Sequence, residues 1–260
     1  MTVPIDNRPI VWFDIDNTLY SASSQISHAM GVKIHEYFVN TLGLSHEEAS
    51  KLHLGYYTQY GLALAGLVRH HHVGKVGQHN LKTENEYPPD PLDFDRKCDQ
   101  ALPLEEMIHY KPSLRKLFED IDRSKFRVWA LTNAYRPHAE RVLRILNLTD
   151  LVDGLIYCDY EAKDLISKPD PVYYRKAMET AGVSEPSKCY FIDDNKRNVQ
   201  AAIDLGWKNS VHFCEKGLEH VEGGKVMEIN NKAASDGQPF TVISDLEELR
   251  QIWPEIFKSI

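Results

Sequence analysis

Apolar positions along this chain follow two rhythms. Short apolar runs that stop abruptly at polar clusters predict buried strands at 10–13, 126–131, 155–157, 189–192, 210–213 and 240–243. From Lys111 these runs alternate with amphipathic stretches, which predict helices over 112–122, 137–146, from Pro171 to Gly182, 195–205 and from Ser244, with Glu247 at the capping-box position. Such alternation means a parallel sheet with helices on both faces, an α/β fold. Between the first two strands the rhythm is helical instead. Ile26, Met30, Ile34 and Phe38 recur every four residues up to Gly43, Ser45 and Glu48 make a capping-box pattern for a second helix, and a third is predicted over 56–70. The glycines and prolines at 74, 77, 88, 89, 91 and 103 make 73–104 a return loop with at most one short helix near 93–100. The polar stretch 215–238 reads as a surface loop. The expected division is a core of 1–20 and 105–260, with a helical cap and its return linker at 21–104.

Composition narrows the class. The 260 residues are 42% hydrophobic and 26% charged, enough for a sizeable core. A net charge of -8 argues against a nucleic-acid binder. The longest apolar run of interest, 61–68, is too short to span a bilayer, and the N-terminus lacks the pattern of a signal peptide. Cys98, Cys158, Cys189 and Cys214 are scattered with no C-x-x-C pair, which suits free thiols in a reducing compartment, cytoplasmic or nuclear. The run His70 to His72, with His79 nearby, is better read as a solvated helix end than as a metal site.

Chemistry gathers at the predicted strand ends. The first strand runs into Asp14 and Asp16, the second into Thr132 and Asn133, and the fourth into Asp193 and Asp194, while Lys168 stands between the last two in a stiff K-P-D-P loop. Parallel strands bring these ends to one sheet edge, where ligands collect. Two close carboxylates repel unless a cation lies between them, and a hard cation such as Mg2+ meets that need with oxygen ligands. If the substrate is a phosphate ester, every residue has a task. Asp14 would be the nucleophile, Asp16 the general acid and base, Thr132 and Asn133 the phosphoryl-oxygen holders, and Lys168 the neutralising cation. Asp14, Asp194, Asp193 and a backbone carbonyl at Asp16 would hold the metal.

In order, D-I-D-N-T, L-T-N-A, S-K-P-D-P and F-I-D-D-N-K-R-N resemble the four motifs of the haloacid dehalogenase-like (HAD) phosphohydrolase superfamily. The resemblance implies a Rossmann-like core and Mg2+-dependent phosphatase chemistry, with Asp14, Asp16, Thr132, Lys168 and Asp194 in the roles above. Asp193 stands where many relatives have glycine, and Asn198 where they have a later acid, so a metal role for Asp193 stays open. The position of the insertion resembles the helical cap of the family's first class, where substrate choice would reside in 25–72. More narrowly, Y-Y-T-Q-Y-G-L-A-L-A-G-L, T-N-A-Y and D-G-L-I-Y-C-D-Y resemble the fungal pyrimidine 5′-nucleotidases, which implies UMP and CMP as substrates. Tyr56, Tyr57 and Tyr60 would then either stack on the base or pack the cap.

The reading from sequence is therefore a Mg2+-dependent phosphomonoesterase for pyrimidine nucleoside monophosphates, a monomer or small homo-oligomer without nucleic-acid or membrane partners. The rivals are the same chemistry on a phosphosugar or a lysophosphatidate, and a non-catalytic regulatory module on the same fold. A dehalogenase fits less well, because that reaction gives Asp16 no alkoxide to protonate and needs no Mg2+.

Overall fold

The computed structural model describes residues 6–72, 90–215, 220–222, 225–227 and 240–259. Its centre is β1 (Ile10–Phe13), in which every residue is buried. Ile10 and Trp12 face one apolar cluster and Val11 and Phe13 face another, the period of two expected of a strand covered on both sides. On one flank β1 pairs with β2 (Arg127–Leu131), which pairs with β3 (Gly154–Ile156). On the other come β4 (Cys189–Asp193), β5 (Asn209–Phe213) and β8 (Thr241–Ile243). The six strands lie in the order β3-β2-β1-β4-β5-β8 and all pairs are parallel, so the fold is the Rossmann-like α/β sheet.

Helices cover both faces. The helices α6 (Pro112–Asp120), α7 (Arg136–Ile145) and α10 (Leu249–Ile252) bury Leu117, Phe118, Val142 and Leu249 against Val11 and Phe13. On the other face α8 (Pro171–Thr180) and α9 (Lys196–Asp204) bury Tyr174, Ala177 and Ala202 beside Trp12, Phe191 and Trp207. Trp12 and Trp207 stack with centroids 5.6 Å apart.

After β1 the chain leaves the sheet for α1 (Ile26–Asn40), α2 (His46–Tyr60), α3 (Ala63–His72) and α4 (Pro91–Lys97). Ile34 and Phe38 of α1 bury as their spacing predicts, and the Ser45–Glu48 capping box is formed. The three tyrosines belong to the end of α2 and not to a third helix. Gly61, at φ 74°, caps α2 and turns the chain before α3, and that break is the reason for the difference. These helices share an apolar cluster of their own, and the segment after β3 contributes Cys158, Tyr160 and Leu165 to it. A short helix, α5 (Leu104–Met107), leads back to the core.

Two other expectations are corrected. Within 215–238, β6 (His220–Glu222) and β7 (Lys225–Met227) form an antiparallel ladder, in a polar stretch with no apolar run to mark a strand. The last capping box is Asp245 with Glu248, one residue later than expected, and it opens a 3-10 turn before α10. His79 and the side chains of His71 and His72 lie outside the described residues. None of the described helices is long and apolar enough to cross a membrane.

Candidate active site

The sheet delivers its polar ends to one place. Beyond Phe13, the Asp14 backbone N–H donates to the Ile192 carbonyl (2.9 Å), so β1 and β4 end together. The chain then turns through Asn17 at φ 60°. Thr18 is buried below, where its hydroxyl donates to Asp14 Oδ2 (2.9 Å) and accepts from the Asp194 backbone N–H (3.2 Å). One hydroxyl thus ties the first acidic cluster to the last.

Lys168 is 1% exposed, and its ammonium reaches Asp14 Oδ1 (2.6 Å), Asp193 Oδ2 (2.6 Å) and the Leu131 carbonyl (2.7 Å). Burial pulls this ammonium down, but the charges of Asp14 and Asp193 outweigh it and hold its pKa above the ordinary lysine value. Burial raises the Asp14 carboxyl, Lys168 opposes the rise, and Asp193 and Asp16 reinforce it. Asp194 is pushed well up by burial, then by Asp14 and Asp193. Removing one partner of such a buried set leaves uncompensated charge, at a cost of about 3–5 kcal/mol.

Asp16 is held by different neighbours. Its Oδ1 accepts from the Tyr20 hydroxyl (2.7 Å) and faces His138 Nε2 (2.8 Å), while its Oδ2 lies 3.4 Å from Thr132 Oγ1. Burial works to raise Asp16, but His138 and Tyr20 overcome it and the pKa falls below the usual carboxylate value. Conversely, burial opposes protonation of His138, but Asp16 outweighs it and lifts the imidazole to about 8. The side chains beside Asp14 and Asp16 are thereby set apart, one carboxyl biased up and the other down.

Asn133 lies at the pocket beside Thr132 and also holds the lysine loop. Its Nδ2 donates to the Lys168 carbonyl (2.9 Å) and its Oδ1 accepts from the Lys168 backbone N–H (2.7 Å), so the side chain clamps the lysine loop while the second Nδ2 hydrogen remains a donor. Thr132 is buried, and its Oγ1 also accepts from the Ala134 N–H (3.0 Å).

One pocket takes in Asp14, Asp16, Thr132, Asn133, Lys168 and Asp194, together with Ile26, Ile34 and Tyr57 from the helical layer. Tyr60 is not among its lining residues. Its hydroxyl meets His70 Nε2 (2.9 Å) and Arg69 lies over its ring, so it belongs to the packing between α2 and α3.

Carboxylate oxygens of Asp14, Asp193 and Asp194 lie within 4.8 Å of one another, an all-oxygen set that fits a hard divalent cation. Asp193, however, is already engaged. Its Oδ1 accepts from the Asn195 N–H (2.7 Å) and the Asn198 amide (3.0 Å), and its Oδ2 takes Lys168. Asp193 thus also fixes the lysine beside the other two carboxylates.

A model of the haloacid dehalogenase-like hydrolase family matches residues 9–206, from the first residues before β1 to the end of α9. The chain belongs to this family. It is similar to Phosphate metabolism protein 8 of Saccharomyces cerevisiae, with 31% identity over 253 residues, 95% of this chain and 73% of that protein. Among solved structures, it resembles a HAD phosphatase from Thermococcus onnurineus at a TM-score of 0.51 and 19% identity, covering 94% of this chain and 97% of that one. It also resembles the L-2-haloacid dehalogenase of Xanthobacter autotrophicus, at a TM-score of 0.53 and 16% identity, over 96% and 99% of the two chains. Likeness at this level of identity shows the HAD fold alone, and the choice of reaction rests on the side chains.

Three residues of this HAD site were missed from sequence. His138 and Tyr20 hold Asp16, and Asp99 lines the pocket. Tyr20 follows Asp16 by four residues in a tight turn, as Thr18 follows Asp14. For Asp99 the signal was the pair Asp95 and Asp99, which shares its helical face with the apolar Phe94 and Cys98.

Proposed function

We propose that this HAD hydrolase is a Mg2+-dependent phosphomonoesterase acting through an aspartyl-phosphate on Asp14, with pyrimidine nucleoside 5′-monophosphates as its substrates. The observation that carries the chemistry is placement: one pocket holds Asp14 against the Lys168 ammonium and Asp16 against His138 and Tyr20. Asp14, beside Lys168, is the nucleophile on phosphorus. Asp16 is hydrogen-bonded to Tyr20 and to His138, whose imidazole is lifted to about 8 and holds a proton at neutral pH; Asp16 passes that proton to the departing 5′-oxygen and later takes one from the attacking water. A dehalogenase would have no such proton to deliver. Lys168 offsets charge on Asp14 and on the phosphoryl oxygens, and the Thr132 hydroxyl supplies a further donor.

Asp14, Asp194 and the Asp16 backbone carbonyl would hold Mg2+, which when bound neutralises phosphoryl charge. In this reading the core, 1–20 and 105–260, carries the reaction, and 21–104 closes over it and contacts the leaving group. Tyr57, among the described residues the one cap tyrosine at the pocket, is the candidate to stack on a base, and Tyr60 supports it through the packing of α2. The free thiols of Cys98, Cys158, Cys189 and Cys214 fit work in the cytoplasm.

The test is phosphate release from UMP, CMP, AMP, GMP, a lysophosphatidate and a phosphosugar, with Mg2+ and with EDTA. Release should be fastest with UMP or CMP and should vanish with EDTA. Asp14→Asn should lower it by roughly a thousandfold or more in a chain that still folds cooperatively, with a lowered Tm from the charge lost beside Lys168. Turnover surviving in Asp14→Asn would sink the covalent mechanism, and preference for another ester would replace the substrate.

A further inference from the structure

The pocket that opens over Asp14 has a second polar component that the proposed chemistry leaves unused. Asp99, in the turn after α4, is 4% exposed and lines this pocket, yet its Oδ2 meets no hydrogen-bond partner. His138 spends Nε2 on Asp16 and leaves Nδ1, also buried, unpaired in the same pocket. Asp95, one helical turn before Asp99, has an unpaired buried Oδ1 as well, its Oδ2 being taken by Gln100 (2.5 Å). Buried polar atoms are rarely left unpaired, because desolvation without a compensating hydrogen bond is costly. Here the orphans gather beside a pocket whose remaining walls, Ile26, Met30, Phe94 and Tyr160, are largely apolar.

Chemistry limits what can complete them. Asp99 and His138 are close enough to shift each other: burial raises the Asp99 carboxyl to about 7, and His138 opposes the rise. An imidazolium bound to Asp16 through Nε2 presents Nδ1–H as a donor, and Asp99 presents an acceptor. An alkyl chain satisfies neither. A group carrying a hydroxyl or an N–H beside a carbonyl satisfies both.

We propose that Asp99 and the Nδ1 edge of His138 form the leaving-group subsite, which selects a hydrogen-bonding leaving group, a sugar hydroxyl or a base edge, over an acyl chain. The subsite rests on the phosphomonoesterase reading and narrows its substrate. Asp99 is a specificity residue here, in contact with the part of the substrate remote from phosphorus. His138 serves twice, orienting Asp16 and closing the subsite, so leaving-group recognition and the acid share one side chain.

The experiment compares UMP with phenyl phosphate, whose leaving group brings no hydroxyl or N–H beyond the departing oxygen, using the Mg2+-loaded full chain. In Asp99→Leu the ratio of kcat/KM for UMP to that for phenyl phosphate should fall at least about tenfold, while Asp99→Asn, which keeps an acceptor, should retain most of it. An unchanged ratio in a normally melting Asp99→Leu would overturn the subsite. A second measurement needs no variant. Uridine, which has no phosphate, should competitively inhibit phenyl phosphate hydrolysis by the wild type, and absence of inhibition would equally overturn the subsite. Failure to release phosphate from both UMP and phenyl phosphate counts instead against the phosphomonoesterase reading, and calorimetric titration with uridine then decides the subsite by itself.

Discussion

His53 lies on the inner face of α2, 7% exposed, with its ring 6.3 Å from that of Phe38. Burial lowers its pKa to about 4, and the nearby His35 adds to the effect. The folded state therefore prefers the neutral ring, while the unfolded chain takes up a proton near pH 6.5. Stability from this residue is complete above about 6.5 and is lost as pH falls toward 4, by about 3 kcal/mol in all. Denaturant unfolding at pH 7.5 and 4.5 should show the loss, and His53→Phe should remove about 2 kcal/mol of the difference between the two. An identical pH dependence in the variant would contradict the assignment. His53 was not legible in sequence as a buried group, nor were His138 and Asp99 as parts of the site. A residue directly after a buried strand announces itself, as Asp14 and Asp193 do. A polar residue on a helix looks the same whether it faces water or a neighbour supplied by another segment, and His138 meets Asp16 across 122 positions.

At the scale of elements, the junction of α2 and α3 meets the catalytic loop through backbone alone. A Cβ placed on Gly61 would stand 2.7 Å from the Lys168 carbonyl and 3.2 Å from Pro169 Cδ, and its φ of 74° already disfavours a side chain. Gly43, which ends the α1 region, has a similar φ of 69° with nothing within 4 Å. Gly43→Ala should cost about 1 kcal/mol and leave turnover intact, whereas Gly61→Ala should also displace the Lys168 loop and lower kcat/KM by about tenfold or more. Equal effects in melting and kinetics assays would show that only backbone strain matters. The sheet and its flanking helices were legible because short apolar runs with strong stops alternate with amphipathic stretches. The α2–α3 break was hidden, because the tyrosines before Gly61 and the apolar residues after it keep a helical spacing. The β6–β7 ladder was hidden because H-V-E and K-V-M lie in a polar stretch with no apolar run to mark a strand.

The whole molecule concentrates acid at one sheet edge, since β1 supplies Asp14, β4 supplies Asp193 and Asp194, and Lys168 provides the ammonium between them. A divalent cation there should stabilise the folded chain independently of turnover. At a hundred times its dissociation constant the gain is about 2.7 kcal/mol, or roughly 5 °C in Tm for a chain of this size. Thermal melts with Mg2+ and with EDTA should differ by that order, and Asp194→Asn should lose most of the difference. Coincident melts for the wild type would count against the metal site.

The helical layer is also bound to the sheet by more than its two chain connections. Arg197, in the first turn of α9, donates to the Thr58 carbonyl, and Cys158, Tyr160 and Leu165 complete the apolar cluster beneath α1, α2 and α3. The insertion is consequently no interchangeable cassette. A chimera that grafts another member's helices onto this sheet would strip those three residues of their packing, so any exchange has to carry the 158–165 segment along with the helices.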